Sequence, residues 1–264
     1  MDFQYSRASS SDDAVARRKK AKDGAYLAGG MSILPTLKLG LNEVSELIDL
    51  NGARGLKGIK KSAGQLTLGA MVRHAEVANS ADVMSSIPAL AALARGIGDP
   101  QVRNRGTIGG SIANNDPAAD YPAACLALGA TIVTSSREIA ADKFFLGLFE
   151  TALKPGELIT AVKFPVPLGA AYVKFPNPAT RFALVGVFVA HTKAGPRVAV
   201  TGAGRTGVFR STDMEAALAR SFTPAAIEDV KISARDMASD IHAQADYRAH
   251  LVKVIAQRAV AACG

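Results

Sequence analysis

Two short glycine-containing segments are the parts of this chain best suited to bind a ligand. The first covers residues 28–35 and reads Ala-Gly-Gly-Met-Ser-Ile-Leu-Pro; the second covers residues 107–111 and reads Thr-Ile-Gly-Gly-Ser. Glycine has no side chain and reaches positive φ at little cost, so a Gly-Gly turn lets backbone come close to a ligand. The amide N–H groups of such a turn form an anion-binding nest. Two such turns predict one extended, phosphate-bearing ligand held from two sides.

A third glycine pattern, at residues 202–207, matches G-x-G-x-x-G and follows a predicted strand. A dinucleotide site of that type needs a helix that begins at the turn. Here Val208-Phe209-Arg210 follows and is typical of a strand, so we interpret the pattern as a tight β-turn. The chain has no G-x-x-x-x-G-K-[ST] sequence, which excludes a P-loop.

The titratable residues do not form a recognisable catalytic or metal-binding set. The four histidines and the two cysteines, Cys125 and Cys263, lack the spacing of metal ligands, and we predict neither a metal site nor a catalytic residue. Asp116 and Asp120 lie just beyond the second glycine segment. One of them is expected to cap the helix that follows, and Asp120 is also suited to accept hydrogen bonds from ligand hydroxyl groups. His74 lies between the two glycine segments, and a contact with the ligand stays open.

Alternating strands and helices predict an α+β chain of two domains, 1–167 and 168–264, the first with subdomains 1–55 and 56–167. The linker, residues 165–169, contains two prolines. A helix over 10–22 is expected to begin at Ser10, and residues from Thr212 onward are expected to be mostly helical. The other predicted elements are strands at 3–7, 26–28, 56–59, 65–70, 130–134, 158–164, 170–175, 184–191 and 198–201, and helices at 74–79, 87–94 and 120–128.

The net charge of +8 is scattered, apart from one basic run at residues 17–22. We interpret that run as a solvated helix face, or else as a docking surface for an acidic partner protein. A nucleic-acid binder is disfavoured because no aromatic residues interleave with the basic ones. The polar first 22 residues are unlike a signal peptide, no apolar run is long enough to cross a membrane, and the thiols are unpaired by spacing. We therefore expect a cytoplasmic protein that does not bind membranes.

Taken together, the motifs closely resemble those of the FAD-binding (medium) subunit of the molybdenum hydroxylases, the family of xanthine dehydrogenase and carbon monoxide dehydrogenase. The resemblance covers essentially the whole chain. It is carried by five segments, at Phe3–Ala8, Leu27–Pro35, Val102–Pro122, Lys174–Ala183 and Asp246–Leu251.

The resemblance implies a two-subdomain FAD-binding domain of the PCMH/VAO type, unrelated to the Rossmann fold, followed by a smaller C-terminal α+β domain with an antiparallel sheet and helices. It implies that the pyrophosphate is held by Ala28, Gly29, Gly30, Met31, Ser32, Ile33 and Leu34. The second wall would be Thr107, Ile108, Gly109, Gly110 and Ser111, with the two hydroxyl groups as donors, and Asp120 matches a carboxylate on the adenosine side. By position rather than by motif, further contacts are implied for Ile97, Ile159 and Lys174.

The resemblance also implies a role in electron transfer. In the family, a large subunit holds the molybdenum cofactor and a small subunit carries two [2Fe–2S] clusters, from which electrons reach FAD on a chain like this one and pass to an external acceptor. A dimer of heterotrimers is expected. The alternative is a stand-alone FAD-dependent oxidoreductase of the same fold. Two departures stand out: Met31 replaces a hydrogen-bonding residue common in the family, and the cysteines that hold an additional cluster in some members are missing.

Overall fold

The chain forms three main sheets in succession, each from a separate stretch of sequence. The structure, a computed structural model, describes residues 3–263. Met1, Asp2 and Gly264, which end the two predicted domains, lie outside the described residues. The predicted divisions near residues 55 and 167 fall between the sheets. The α+β class is confirmed.

The first unit is a three-stranded parallel sheet in the order β1-β3-β2. Its elements are β1 Gln4–Arg7, α1 Ser11–Lys20, β2 Gly24–Leu27, α2 Ile33–Lys38 and β3 Glu46–Asp49. Ser10 caps α1 as predicted, because its hydroxyl accepts a hydrogen bond from the Asp13 amide. Parallel neighbours need crossover connections, and the segment between β2 and β3 contains both the first glycine segment and α2.

The second unit is a five-stranded antiparallel sheet, in the order β4-β5-β10-β6-β7, covered by helices. Its elements are β4 Ile59–Ser62, β5 Gln65–Gly69, α3 His74–Asn79, α4 Ala81–Ser86, α5 Pro88–Arg95, α6 Pro100–Arg105, α7 Ile108–Asn114, α8 Tyr121–Ala127, β6 Thr131–Thr134, β7 Glu138–Ala140, the short hairpin β8 Phe145–Gly147 and β9 Glu150–Thr151, and β10 Ile159–Pro165. The predicted first hairpin is confirmed, but its first strand begins at Ile59. Leu56 is instead buried in the core of the first unit, against Ile48 and Ala53.

The third unit is a four-stranded antiparallel sheet in the order β11-β12-β13-β14. Its elements are β11 Gly169–Pro176, β12 Ala183–Thr192, β13 Gly195–Thr201, β14 Phe209–Arg210, α9 Thr212–Arg220 and α10 Ala245–Cys263. Strand β12 is buried on both faces. Val187 and Val189 point into the core under α10, whereas Phe188 and Ala190 join the core of the second unit. Because side chains alternate along a strand, one strand belongs to two cores and joins the C-terminal part firmly to the second unit.

Three sequence expectations have a clear structural outcome. The pattern at residues 202–207 is a turn between β13 and β14, with φ of 80° at Gly202 and 104° at Gly207, and no helix begins there. The expectation that residues from Thr212 onward are mostly helical is confirmed by α9 and α10, which are separated by irregular chain with two short 3-10 helices at Pro224–Ile227 and Ala234–Asp236. The expectation of a glycine turn at residues 107–111 is wrong, because this segment begins helix α7.

Candidate functional site

A cleft of about 630 Å³ opens between the first and second units. This volume falls in the range typical of small-molecule and cofactor sites. One wall is residues 28–33, between β2 and α2, and the opposite wall is residues 106–120, from the start of α7 to the start of α8. Met71 and Ile159 also line the cleft. All the predicted binding residues line the cleft except Leu34, Ile108 and Lys174.

The first glycine segment presents free backbone donors to the cleft. The amide N–H groups of residues 29–33 donate to no acceptor among residues 3–263, and Leu34 is the first to do so, bonding to the Gly30 carbonyl at 3.3 Å. Gly30 has a φ of 80°, which an L-residue adopts only with strain. Five consecutive unused donors where a short helix begins form a ready site for a phosphate group.

The second glycine segment is a helix start in which the amides of residues 108–111 are already used. The amide of Ile108 bonds to the Val72 carbonyl at 3.0 Å, Gly109 to the Ala70 carbonyl at 2.8 Å, and Gly110 to the Thr107 hydroxyl at 3.2 Å. The Ser111 amide bonds to the Thr107 carbonyl at 3.0 Å. The prediction of a second anion nest is therefore wrong. Residues 107–111 can still offer a ligand the hydroxyl groups of Thr107 and Ser111 and the Thr107 amide, which donates to no acceptor among residues 3–263.

The glycines of the two segments differ in what they make room for. A Cβ on Gly29 would overlap the Arg105 carbonyl, and one on Gly109 would stand 2.5 Å from the Ala70 Cβ, so both allow close packing of protein against protein. A Cβ on Gly110 would stand 3.0 Å from the Thr107 Oγ1 and 3.7 Å from the Ala28 Cβ on the opposite wall. Gly110 is thus the glycine that keeps the gap between the walls open.

Asp120 lies at the start of α8 and is 4% exposed. Its carboxylate accepts hydrogen bonds from the Tyr172 hydroxyl and, at 3.3 Å, from the Lys174 ammonium, whose nitrogen is 3.0 Å from the other carboxylate oxygen. The Lys174 ammonium also donates to the Gly96 carbonyl at 2.7 Å, next to the cleft residue Ile97. Burial raises the pKa of Asp120, while the positive charge of Lys174 opposes that rise. The fold therefore brings together Asp120, Ile97 and Lys174. Lys174 contacts Asp120 but does not itself line the cleft.

His74 lies at the start of α3, is 5% exposed and contributes to the cleft lining. Its ring centroid is 5.3 Å from that of Tyr121. The His74 Nδ1 atom and the Tyr121 hydroxyl are both buried and make no hydrogen bond within residues 3–263. Burial, with a smaller contribution from the Arg103 charge, lowers the pKa of His74 to about 4. The imidazole is therefore neutral at pH 7.

Phe182 and Glu157 are among the cleft residues that sequence reasoning missed. Phe182 reaches the cleft from the loop between β11 and β12 and is 49% exposed. It follows Arg181, whose φ of 62° is unusual for a residue other than glycine. Glu157 lines the cleft near Ile159, and hydrogen bonding to Arg137 lowers its pKa to about 2. Phe182 lies within the resemblance motif at 174–183, so a signal for it was present, whereas no motif pointed to Glu157.

Other site types are not found in the part of the chain that the structure describes. Within residues 3–263, no group of three or more His, Cys, Asp or Glu side chains is placed to hold a metal ion. Over the same residues, no helix combines the length and the apolar character needed to cross a membrane. The cleft is consequently the site around which a function is best argued.

Comparison with known proteins matches the part of the chain that forms most of the cleft to a family of FAD-binding domains. A family model described as the FAD binding domain in molybdopterin dehydrogenase matches residues 1–167. The carbon monoxide dehydrogenase medium chain of Hydrogenophaga pseudoflava is 34% identical over 274 aligned positions, covering 98% of this chain and 96% of that protein. The nicotine 6-hydroxylase medium subunit of Paenarthrobacter nicotinovorans is 34% identical over 275 positions, covering 99% and 97%.

A solved structure matches the fold of this chain along its entire length. The structure of carbon monoxide dehydrogenase from Hydrogenophaga pseudoflava, in a form lacking the Mo-pyranopterin moiety of the molybdenum cofactor, superposes with a TM-score of 0.93 at 35% sequence identity. The match covers 100% of this chain and 97% of the matched chain.

Proposed function

Because this chain belongs to the family of FAD-binding domains in molybdopterin dehydrogenases, we propose that it relays electrons as one subunit of a three-subunit molybdenum hydroxylase. The chain is an FAD-binding medium subunit of an oxidoreductase of this family. Its proposed partners are a large subunit with the molybdenum cofactor and a small subunit with [2Fe–2S] clusters. In this proposal, electrons pass from those clusters through this subunit to an external acceptor.

The row of unused N–H donors at residues 29–33 is the observation that best supports FAD in the cleft. The pyrophosphate of FAD carries negative charge and many acceptor oxygens. Backbone amides of residues that line a cleft and have no protein partner suit such a group. The chain's net charge of +8 favours the approach of an anionic cofactor as well.

We propose that Ala28 and residues 29–33 bind the pyrophosphate and that Thr107 and Ser111 donate from the opposite wall. Leu34 lies outside the cleft lining and its amide bonds to the Gly30 carbonyl, so we assign it no contact with the cofactor. Asp120 would accept hydrogen bonds on the adenosine side, and Ile97 and Ile159 would pack against the cofactor. The remaining predicted residues have supporting parts: Ile108 and Gly109 anchor α7 against β5 and the segment after it, and Lys174 holds Asp120. Met31 is 41% exposed at the cleft and offers apolar contact rather than a strong hydrogen bond.

When bound, FAD supplies the redox chemistry, since its ring system accepts and releases electrons. The protein contributes the binding site and its electrostatics. Electron entry from another cofactor requires no acid or base on this chain, and we therefore assign no catalytic residue. The neutral His74 imidazole and the Glu157 carboxylate shape the polarity of the cleft.

The proposal is tested by purifying the protein with whatever accompanies it. We expect a flavin absorption spectrum, one FAD per chain, and co-purified subunits that contain molybdenum and iron. Absence of a flavin spectrum, even after incubation with FAD, would refute the site. Flavin reduction by an added substrate without any partner subunit would instead identify a stand-alone FAD-dependent oxidoreductase.

A further inference from the structure

The cleft wall that contains Asp120 is held from behind by the C-terminal sheet. At the end of β13, the Thr201 hydroxyl lies 2.7 Å from the Ala119 carbonyl and 3.0 Å from the Pro117 carbonyl. The Gly202 amide donates to the Pro117 carbonyl at 2.8 Å. Thr201 is fully buried. The segment between α7 and α8 is thus tied by side-chain and backbone bonds to a sheet that is remote from it in sequence.

A second pair of bonds from the same sheet acts on the Asp120 side chain. Tyr172 and Lys174 are two residues apart on β11, so their side chains point to the same face of the strand. The Tyr172 hydroxyl donates to the carboxylate, and the Lys174 ammonium stands 3.0 Å from it. Neither Tyr172 nor Thr201 lines the cleft, and both act on residues that do.

The strand register explains why these side chains meet. Lys174, Gly186 and Thr201 are direct neighbours across β11, β12 and β13. A Cβ at Gly186 would overlap the Tyr172 hydroxyl and stand 3.0 Å from the Thr201 Cγ2. A glycine in the middle strand therefore leaves the space in which both hydroxyl groups reach the cleft wall.

We propose that Tyr172 and Thr201 are positioning residues for the cofactor. Together they fix the direction of the Asp120 carboxylate and the backbone on which it stands. The inference rests on the proposed function, in which Asp120 contacts FAD. Preorganised contacts raise affinity because less freedom is lost when the ligand binds. FAD affinity thus depends on two hydroxyl groups of the C-terminal domain that do not touch FAD.

The test is a titration of the FAD-free full-length chain with FAD, followed by flavin fluorescence, for Tyr172→Phe and Thr201→Val. If the chain is obtained only with its partner subunits, the same titration is made on the deflavinated complex. We expect the Kd for FAD to rise about tenfold in each variant, equivalent to about 1.4 kcal/mol. Each substitution keeps the carbon skeleton nearly unchanged but removes a hydrogen bond from a buried acceptor, so the unfolding temperature without FAD should fall by only a few degrees.

Matched controls and a rescue separate positioning from general destabilisation. Thr192→Val removes a hydroxyl that bonds to the Gly195 carbonyl at the far end of the same sheet, and Tyr247→Phe removes a half-exposed one from α10. Both should keep the Kd within about twofold of wild type. Thr201→Ser retains the hydroxyl and should restore FAD affinity.

The visible circular dichroism of the bound flavin gives a second measurement, and it should differ from wild type only in the Tyr172 and Thr201 variants that lack the hydroxyl. If wild type binds FAD while Tyr172→Phe and Thr201→Val bind it as tightly as the controls, the positioning role is wrong and the proposed function stands. If wild type itself does not bind FAD, the proposed function is wrong. Should Thr201→Val not fold, Tyr172→Phe decides, because it removes one oxygen atom and keeps the ring packed on Phe188.

Discussion

Replacing Gly110 should separate cofactor binding from folding. Gly110 is the third residue of α7, and a Cβ there would stand 3.0 Å from the Thr107 Oγ1 and 3.7 Å from the Ala28 Cβ. Carbon atoms are in contact at about 3.5–4.0 Å, so a Cβ alone already closes the gap between the walls. In the Gly110→Val variant, the γ-carbons of the introduced side chain would have to enter the space proposed for FAD. Overpacking of this kind costs about 1–3 kcal/mol.

If the overpacking cost destabilises the FAD-bound state, Gly110→Val raises the Kd for FAD by about five- to 150-fold, at 1.4 kcal/mol per factor of ten. The FAD-free fold should be affected far less. Removing glycine from a helix contributes about 0.5 kcal/mol of stability, which offsets crowding of the Thr107 cap. We therefore expect the unfolding free energy of the FAD-free chain to change by less than about 1 kcal/mol.

The assay is a fluorescence titration with FAD together with thermal unfolding of the FAD-free chain. Ala92→Val is the matched control, since it places the same side chain on an exposed helical position outside the cleft. The reasoning fails if Gly110→Val keeps one FAD per chain at wild-type affinity. It fails in another way if Gly110→Val unfolds while Ala92→Val does not, because Gly110 would then serve the fold rather than the ligand.

Three further outcomes follow from the same geometry. Gly30→Ala should lower the free energy of unfolding by about 1–2 kcal/mol, because the φ of 80° at this position is costly for alanine. It should also weaken FAD binding, because a change of φ redirects the free amides. Denaturant unfolding measures the first effect and the FAD titration measures the second. The pKa of His74 is lowered from 6.5 to about 4, so the folded state favours the neutral ring. The contribution of this preference to the free energy of unfolding is fully present above pH 6.5 and is lost as the pH falls from 6.5 towards 4. That contribution is about 3 kcal/mol at most, and His74→Gln should flatten the unfolding temperature between pH 7 and 4 relative to wild type. Arg137→Met should lower the unfolding free energy at pH 7 by about 1–3 kcal/mol, because the nearly buried Glu157 carboxylate loses its partner, and the double variant with Glu157→Gln should recover part of the loss in chemical denaturation.

The elements of this chain were largely predictable because their signals are local. The Ser10 cap, the hairpin before the cleft and the strands of the C-terminal sheet follow from capping residues, turn residues and apolar runs. The error at residues 107–111 has a physical cause. Two adjacent glycines disfavour a helix locally, but carbonyls of Ala70 and Val72 supply acceptors for the first amides of α7, and these partners are far away in sequence.

The candidate site, too, was predictable from the sequence only in part. The sequence by itself determined which residues could approach a phosphate, because glycine at positions 29, 30, 109 and 110 is visible without coordinates, and it determined the family through the order of its motifs. It could not show which of those glycines serve the ligand. That depends on what stands opposite each one, and for Gly29 and Gly109 the neighbour is protein.

Only the tertiary structure decided which donors are free and which groups hold the site together. An amide is available to a ligand when no acceptor of the protein lies within reach. The amides of residues 29–33 meet that condition. The amides of residues 108–111 do not, because this segment begins a helix that packs against β5 and the residues after it. Likewise, Tyr172 and Thr201 meet the wall at Asp120 only because strand register places them beside Gly186. Residue type was fixed by the sequence, whereas the availability of each polar group was fixed by its neighbours in space.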